Sequence, residues 1–312
     1  MTNQPFLQEV ENDSGLNNLK STQDWLKENK IFIELKLEEH GAIIFKDLPV
    51  KTAEDFDQFV STFNYETFTY EESLSNAVRI NKTDKVFTAN EAPREVEIFL
   101  HHEMAQTPTY PKNIFFFCKS ASETGGETPL CRSDQLYEAL LKADKALVES
   151  FEKFGVIYNS IMSSGDELIS GQGRSWQKTL GVSSKNDAEE KLSKLGYSWN
   201  WIEDDNLSVT TKTLQATKEL GNGQKSFFNQ VIAASLGWKK NSENQIAPVR
   251  FGNGEEIKES YIELLSELAQ SLTLLRSWQD HDILLIDNYR VMHGRKPFAG
   301  NKNREVLVSL TN

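Results

Sequence analysis

"VEIFLHHEMAQ", Val96 to Gln106, sets an apolar run directly before two adjacent histidines and a glutamate. Side chains of a strand alternate faces, so residues two apart point the same way and neighbours point opposite ways. With the apolar run as a strand, His101 and Glu103 share one face and His102 looks away. Two candidate ligands do not complete a metal site, so another must come from elsewhere in the chain.

The histidines are His40, His101, His102, His281 and His293. His293 lies in "DILLIDNYRVMHGRKPF", where a strand runs into a turn marked by Gly294 and Pro297. His281 stands near Trp278 and reads as a surface or capping residue, and His40, just before a strand, reads as ordinary. A His-x-Glu pair joined by one distant histidine has the composition of the two-histidine, one-carboxylate facial triad, which leaves positions open on Fe(II) for a cosubstrate and O2. The same ligands can hold catalytic zinc, so the triad alone leaves the metal open. Arg304 follows His293 by eleven residues and opens "REVLVSL", the last strand. If that strand runs antiparallel to the one before it, Arg304 returns near the metal and offers a forked, permanent charge to a carboxylate. Thr128, in "GGETPL", adds a hydroxyl that can help hold the same group.

At 312 residues and a net charge of −12, the chain can bury a sizeable core. It lacks the basic face with which nucleic-acid-binding proteins displace counterions from phosphate. No apolar run approaches the roughly 20 residues of a membrane helix. "MTNQPFLQEVENDSG" has neither the basic nor the apolar segment of a signal peptide. Cys118 and Cys131 are too few for a disulfide framework and read as buried thiols of a reducing compartment. A cytoplasmic enzyme or binding protein, with no nucleic-acid or membrane partner, fits this composition.

Residues 1–20 are polar and read as a loosely held lead-in. "STQDWLKENK" reads as a short helix, and "IFIELKLEEHG" after it alternates. "GAIIFKDL" and "IFFFCKSA" read as strands. Thr52 opens "TAEDFDQFVSTFN" with a Thr-x-x-Asp cap and places Phe56, Phe59 and Phe63 on one helical face. One long amphipathic helix, capped by Ser133, runs to Phe154, and a second runs from Glu255 to Trp278. Between them lie short strands near 155–161, 207–213 and 225–230, and helical pieces near 174–181 and 186–195. The pattern predicts one domain over 1–312, mainly β with α insertions, built as a sandwich or barrel.

"LHHEMAQTPTYPKNIFFFCKSASETGGETPLCRS" and "IDNYRVMHGRKPFAGNKNREVLVSL" together resemble, in order and spacing, the taurine dioxygenase/clavaminate synthase-like family of Fe(II)- and 2-oxoglutarate-dependent oxygenases. "GRSWQKTLG" and "FFNQ" resemble its syringomycin-type hydroxylase-like branch. The resemblance runs from Gly41 to the C-terminus. It implies a double-stranded β-helix, or jelly roll, flanked by helices. His101, Glu103 and His293 would be the catalytic iron ligands. Arg304, assisted by Thr128, would hold the distal carboxylate of 2-oxoglutarate, and O2 would be the oxidant. His102 falls at the variable middle of the family's His-x-Asp/Glu motif. Relatives that halogenate lack the carboxylate, so the presence of Glu103 implies hydroxylation. Desaturation or ring closure by the same cofactors is an alternative outcome, and a catalytically silent jelly-roll binding protein is an alternative of another class. A zinc hydrolase gives no account of Arg304 and Thr128.

The implied substrate is an amino acid or amino-acid derivative of specialised metabolism. Candidate substrate-facing residues are Arg79, Asn90 with Glu91, Arg174, Asn229 in "FFNQ", and Arg295 beside His293. Trp176, Trp199 and Trp201 are candidate cavity walls. Each has a plainer reading: a surface ion pair for Arg295, a backbone-bonding amide for Asn229, core packing for the tryptophans. "LSNAVRINKTDKVFTANEAP" departs from the branch's Ser-Pro-Arg run and Thr-Glu pair, and Lys239 to Gly254 is polar and weakly patterned. Both departures bear on the substrate and not on the cofactors.

Overall fold

The computed structural model describes residues 6–69, 74–75, 77–166, 173–221, 223–238 and 246–312. Ten strands form two sheets at its centre. In chain order they are β1 (Gln8–Val10), β2 (Ala42–Phe45), β3 (Phe87–Thr88), β4 (Ile98–His101), β5 (Asn113–Ser120), β6 (Thr128–Arg132), β7 (Thr273–Arg276), β8 (Ile283–Asp287), β9 (Val291–Arg295) and β10 (Glu305–Thr311). The larger sheet runs β1-β2-β8-β5-β10-β3 and the smaller β7-β6-β9-β4. All pairings within them are antiparallel except β1 with β2. This is the expected jelly roll with helices on its flanks.

The apolar runs of β2, β5 and β8 follow from burial on both faces. Ala42, Ile44, Ile114, Phe116, Leu284 and Ile286 pack toward the smaller sheet with Leu130 and Val291. The alternate residues Ile43, Phe45, Phe115, Phe117, Ile283 and Leu285 pack under two helices. These are α1 (Leu19–His40) and α2 (Ala53–Ser61). Thr52 caps α2 as expected, accepting the Asp55 N–H, and Phe56, Phe59 and Phe63 are buried. The outer side of the smaller sheet is covered by α3 (Ser133–Ala143), α4 (Lys145–Phe154) and the helix Glu259–Ser271. A separate four-stranded sheet, centred on Val156–Met162 and Leu207–Thr210, packs against Trp176, Leu180, Leu192 and Tyr197.

Several local expectations are corrected. The lead-in is not loose throughout, because Gln8–Val10 pairs with β2. "IFIELKLEEHG" is no strand but continues α1, which Asn18 caps and Gly41 ends in left-handed backbone (φ 80°). Ile31 and Leu35 mimic a strand by alternation, yet they are 74% and 60% exposed, while Leu26, Ile33 and Leu37 form one buried helical stripe. The long helix after Ser133 is two helices, broken at Asp144, whose carboxylate caps α4 by accepting the Leu147 N–H at 2.9 Å. Ser133 does not cap α3. The second long helix stops at Ser271, and Thr273–Arg276 pairs with β6 instead. No helix of the described residues is long and apolar enough to cross a membrane.

Burial along α1 makes a direct prediction. Ile33→Ala should cost about 2–5 kcal/mol, whereas Ile31→Ala should stay within about 0.5 kcal/mol. Urea unfolding of both variants measures this, and equal losses would contradict a single helix packed on one stripe.

Candidate active site

β4 and β9 are antiparallel neighbours whose register sets His101 opposite His293. Residues directly opposite share a face, so the two rings meet with centroids 4.4 Å apart. β4 ends at His101. Glu103 lies in the turn that follows, where Met104 takes left-handed backbone (φ 59°). Strand alternation therefore explains His101, and a buried asparagine completes the arrangement. Asn288 Oδ1 accepts the Glu103 N–H at 2.8 Å, and Nδ2 donates to the Glu103 carbonyl at 3.0 Å and the Pro111 carbonyl at 2.8 Å. Glu103 so held brings Oε2 to 3.4 Å from His293 Nε2. One ligand atom from each of His101, Glu103 and His293 lies within 4.8 Å of the other two.

The chemistry of this donor set suits a divalent cation. His101 Nδ1–H donates to the Phe99 carbonyl at 2.8 Å, leaving the Nε2 lone pair available. Burial, with His293 adding to it, lowers the His101 pKa to about 4, so the ring is neutral at ordinary pH. His293 Nδ1 is buried without a hydrogen-bond partner. Burial raises the Glu103 carboxyl, but Arg79 and the two histidines outweigh it and hold the group below the usual carboxylate range. Arg79 Nη2 sits 2.8 Å from Oε1, with both side chains buried. A neutral imidazole at His101 beside an ionised carboxylate is what a divalent metal needs from a protein.

His102 points away, as alternation predicts. It is fully buried, its Nδ1–H donating to the Asn288 carbonyl and its Nε2 2.8 Å from Ser133 Oγ. Burial lowers its pKa to about 3. A carbonyl can only accept, so the Asn288 carbonyl fixes a proton on Nδ1. The one hydrogen of the Ser133 hydroxyl is shared between Nε2 and the Arg290 carbonyl, 3.0 Å from Oγ.

Arg304 and Thr128 line the same pocket of ≈ 110 Å³ as the three clustered side chains. The route of Arg304 differs from the expectation: β10 pairs with β5 and β3, not with β9, so the arginine arrives from the larger sheet. Its Nη2 donates to the Gly126 carbonyl at 3.2 Å, and its Nε is buried without a partner. Thr128 Oγ1 accepts from Trp278 Nε1 at 2.9 Å, which leaves its own hydrogen to donate. Gly126 has a positive φ of +73°, and a Cβ there would stand 2.9 Å from Arg304 Nε. Glycine therefore makes room for the guanidinium.

The substrate candidates divide. Arg79 and Asn90 line the pocket, Arg79 committed to Glu103. Arg295 also lines it, yet it is neither a surface ion pair nor a free donor. Its two terminal nitrogens donate to the carbonyls of Asn90, Ala92, Pro93 and Val96, at 2.7 to 3.4 Å. Arg174 stands behind the wall and donates to the Ser75 carbonyl. Asn229 bonds backbone, its amide donating to the Ala216 carbonyl and accepting the Val231 N–H. Trp176, Trp199 and Trp201 belong to the core of the separate sheet. Asn288, Gln106, Gln230 and Trp238 escaped the sequence reading. Asn288 lies in the "IDNYRVMHG" block, but nothing in its spacing marks a residue that acts through backbone.

A jelly roll with two histidines and a carboxylate gathered in one pocket, and a buried arginine across from them, defines a class: the Fe(II)- and 2-oxoglutarate-dependent dioxygenases. Residues 7–310 match the family described as taurine catabolism dioxygenase TauD, TfdA family. The chain belongs to that family, and is an oxidoreductase that uses Fe(II), 2-oxoglutarate and O2. A clavaminate synthase-like protein of Arabidopsis thaliana is 32% identical over 286 residues, 91% of this chain and 86% of the relative. The dapdiamide synthesis protein DdaC of Enterobacter agglomerans is 27% identical over 289 residues, covering 88% and 83%. Among solved structures, PvcB, an Fe, α-ketoglutarate-dependent oxygenase from an isonitrile synthetic pathway, shares the fold with a TM-score of 0.52 at 14% identity, covering 99% of this chain and 88% of that one.

His102 gives the fold an acid-sensitive element. Its pKa is about 3 when folded against an ordinary 6.5, so between those values the unfolded chain binds a proton that the folded chain does not. Stability from this group is present above pH 6.5 and is lost as pH falls toward 3, by up to about 1.4 kcal/mol per pH unit. His102→Gln cannot titrate there. Denaturant unfolding at neutral and mildly acid pH should show a shallower loss for this variant than for wild type, and parallel losses would refute the assignment.

Proposed function

We propose that this chain, as a single oxygenase domain over 1–312, hydroxylates an unactivated C–H bond of an amino acid or amino-acid derivative in specialised metabolism, in the cytoplasm. His101, Glu103 and His293 are assigned as the Fe(II) ligands, and Arg304 with Thr128 as the holders of the distal carboxylate of 2-oxoglutarate. One observation carries the reading: the three ligand-bearing side chains converge within 4.8 Å in a pocket that Arg304 and Thr128 also line. With iron bound, O2 would supply the oxidising power and 2-oxoglutarate two electrons, one oxygen atom leaving in succinate with release of CO2 and the other going to the substrate.

What remains for the chain is positioning. The Phe99 carbonyl fixes the His101 ring and its tautomer, the second contact on which metal-binding histidines rely. Arg79 keeps Glu103 ionised and leaves Oε2 toward the histidines. Arg304 presents a buried charge with an unsatisfied Nε, and a carboxylate satisfies both at once. Around them Phe116, Ala77, Ile98, Ala233 and Trp238 supply the apolar wall that a C–H bond needs beside it. The naming of DdaC for dapdiamide synthesis and of PvcB for an isonitrile synthetic pathway supports a biosynthetic small molecule as substrate. The two free, buried thiols Cys118 and Cys131 support a reducing compartment.

Succinate formation from 2-oxoglutarate, with Fe(II), O2 and a panel of amino-acid derivatives, tests the reading. His101→Ala should abolish turnover with iron binding. Arg304→Ala should retain iron but weaken 2-oxoglutarate at least about 30-fold, as expected for losing ~2 kcal/mol or more from a charged hydrogen bond. Gly126→Ala should reproduce part of the Arg304 effect through crowding alone. His102→Ala should lower stability and spare the metal. Loss of iron in His102→Ala but not in His101→Ala would overturn the ligand assignment.

A further inference from the structure

Gln106 and Trp238 line the active-site pocket and, equally, a second cavity of ≈ 30 Å³ beyond it. Leu74, Met162, Leu180 and Val209 give that cavity an apolar lining, and Thr107, Tyr158, Ser160, Tyr197 and Thr211 bring hydroxyls to it. Three of those hydroxyl oxygens have hydrogen-bond partners. Thr107 Oγ1 is 2.6 Å from the Thr109 carbonyl, Tyr158 Oη accepts the Gln230 N–H at 2.9 Å, and Thr211 Oγ1 accepts the Tyr158 N–H at 3.0 Å. Gln106 Oε1 and Tyr197 Oη are fully buried without any hydrogen-bond partner. Tyr197 is only 8% exposed.

Leaving a buried polar atom unsatisfied costs roughly 1–3 kcal/mol, and here two of them border one cavity that abuts the site of oxidation. Among the described residues that line it there is no carboxylate, amine, guanidinium or imidazole. A charged group entering would lose its hydration and find no countercharge, so the occupant has to be neutral. Burial pushes the Tyr197 phenol up, which keeps it a neutral donor. Gln106 Oε1 can only accept.

We propose that this cavity is a substrate subsite for an uncharged terminus that both accepts and donates, a primary carboxamide, with Tyr197 Oη donating to its oxygen and Gln106 Oε1 accepting from its N–H. Trp238, shared by both cavities, forms the apolar wall between subsite and metal cluster. The inference rests on the oxygenase reading and narrows its substrate class: an amide-bearing derivative, not an acid or amine, at the end remote from the oxidised carbon.

The test uses crystals of the full chain loaded anaerobically with Fe(II) and 2-oxoglutarate, soaked with acetamide or with acetate. Acetamide should occupy the cavity between Gln106 and Tyr197 while acetate stays out, and the site should empty in Tyr197→Phe and in Gln106→Leu. In solution, amidated N-acetyl amino acids should stimulate succinate release at least tenfold more than the matching acids, and Tyr197→Phe should cut that preference below threefold. Ordered water alone bridging the two atoms in the presence of acetamide, or acids preferred over amides, would overturn the proposal. Acetamide bound beside a cluster that takes up no iron would instead overturn the oxygenase reading and leave the subsite standing. Iron and 2-oxoglutarate bound beside a cavity of water would do the reverse.

Discussion

The register of β4 against β9 is the constraint on which the site depends. A slip of one residue would turn His293 to the other face of the smaller sheet and bring Met292 or Gly294 in its place. The sheet itself resists that slip. The pairing is interrupted between His293 and Arg295, and a Cβ at Gly294 would stand 2.4 Å from the Ile98 carbonyl. Only glycine lets the two backbones approach closely enough to hold the histidines opposite one another. Asn288 then ties the turn after β4 to the chain just before β9, bonding both backbone groups of Glu103 and accepting from His102. The ligand cluster is thus built by sheet and asparagine, and Glu103 needs no strand of its own.

Three arginines at this pocket show why charge alone does not assign a role. Arg79 is matched to Glu103, and each of the two makes the other's burial tolerable. Arg295 has spread its charge over four carbonyls of residues 90–96. Burial and the neighbouring Arg304 lower its pKa to about 10, so it remains a cation that braces the wall. Arg304 alone among them keeps a buried nitrogen bonded to nothing in its Nε while giving only one terminal nitrogen to a carbonyl. Arg79 spends Nη2 on the Glu103 carboxylate, and Arg295 spends both terminal nitrogens on carbonyls. What distinguishes Arg304 is therefore the unspent end of its guanidinium, and that is the part a carboxylate would grip.

Errors in reading the sequence arose where two periodicities coincide or where a contact is remote. Ile31, Ile33, Leu35 and Leu37 alternate as a strand would, but Ile33 and Leu37 also fall at helical spacing from Leu26, and packing on the larger sheet decides for the helix. Asp144 breaks a helix whose apolar pattern continues across it, because a side-chain cap on the next helix competes with propagation. Arg174 and Asn229 carried suitable chemistry, yet each is turned to backbone, which no spacing in the chain reports.

By itself the sequence determined the material of the site. His-x-Glu after an apolar run, a distant His-Gly-Arg, a Gly-Gly-x-Thr and an arginine opening the last strand were all legible, because each is a local pattern of residue types. So was the division between His101 and His102, which needs only the alternation of a strand. Tertiary structure decided the rest: that His101 and His293 lie opposite each other, that Arg304 arrives from the facing sheet, that Asn288 places Glu103, and that Gln106 and Tyr197 border one cavity. These depend on pairings between segments far apart in the chain, whose register is set by close packing across sheets and not by any neighbour in sequence.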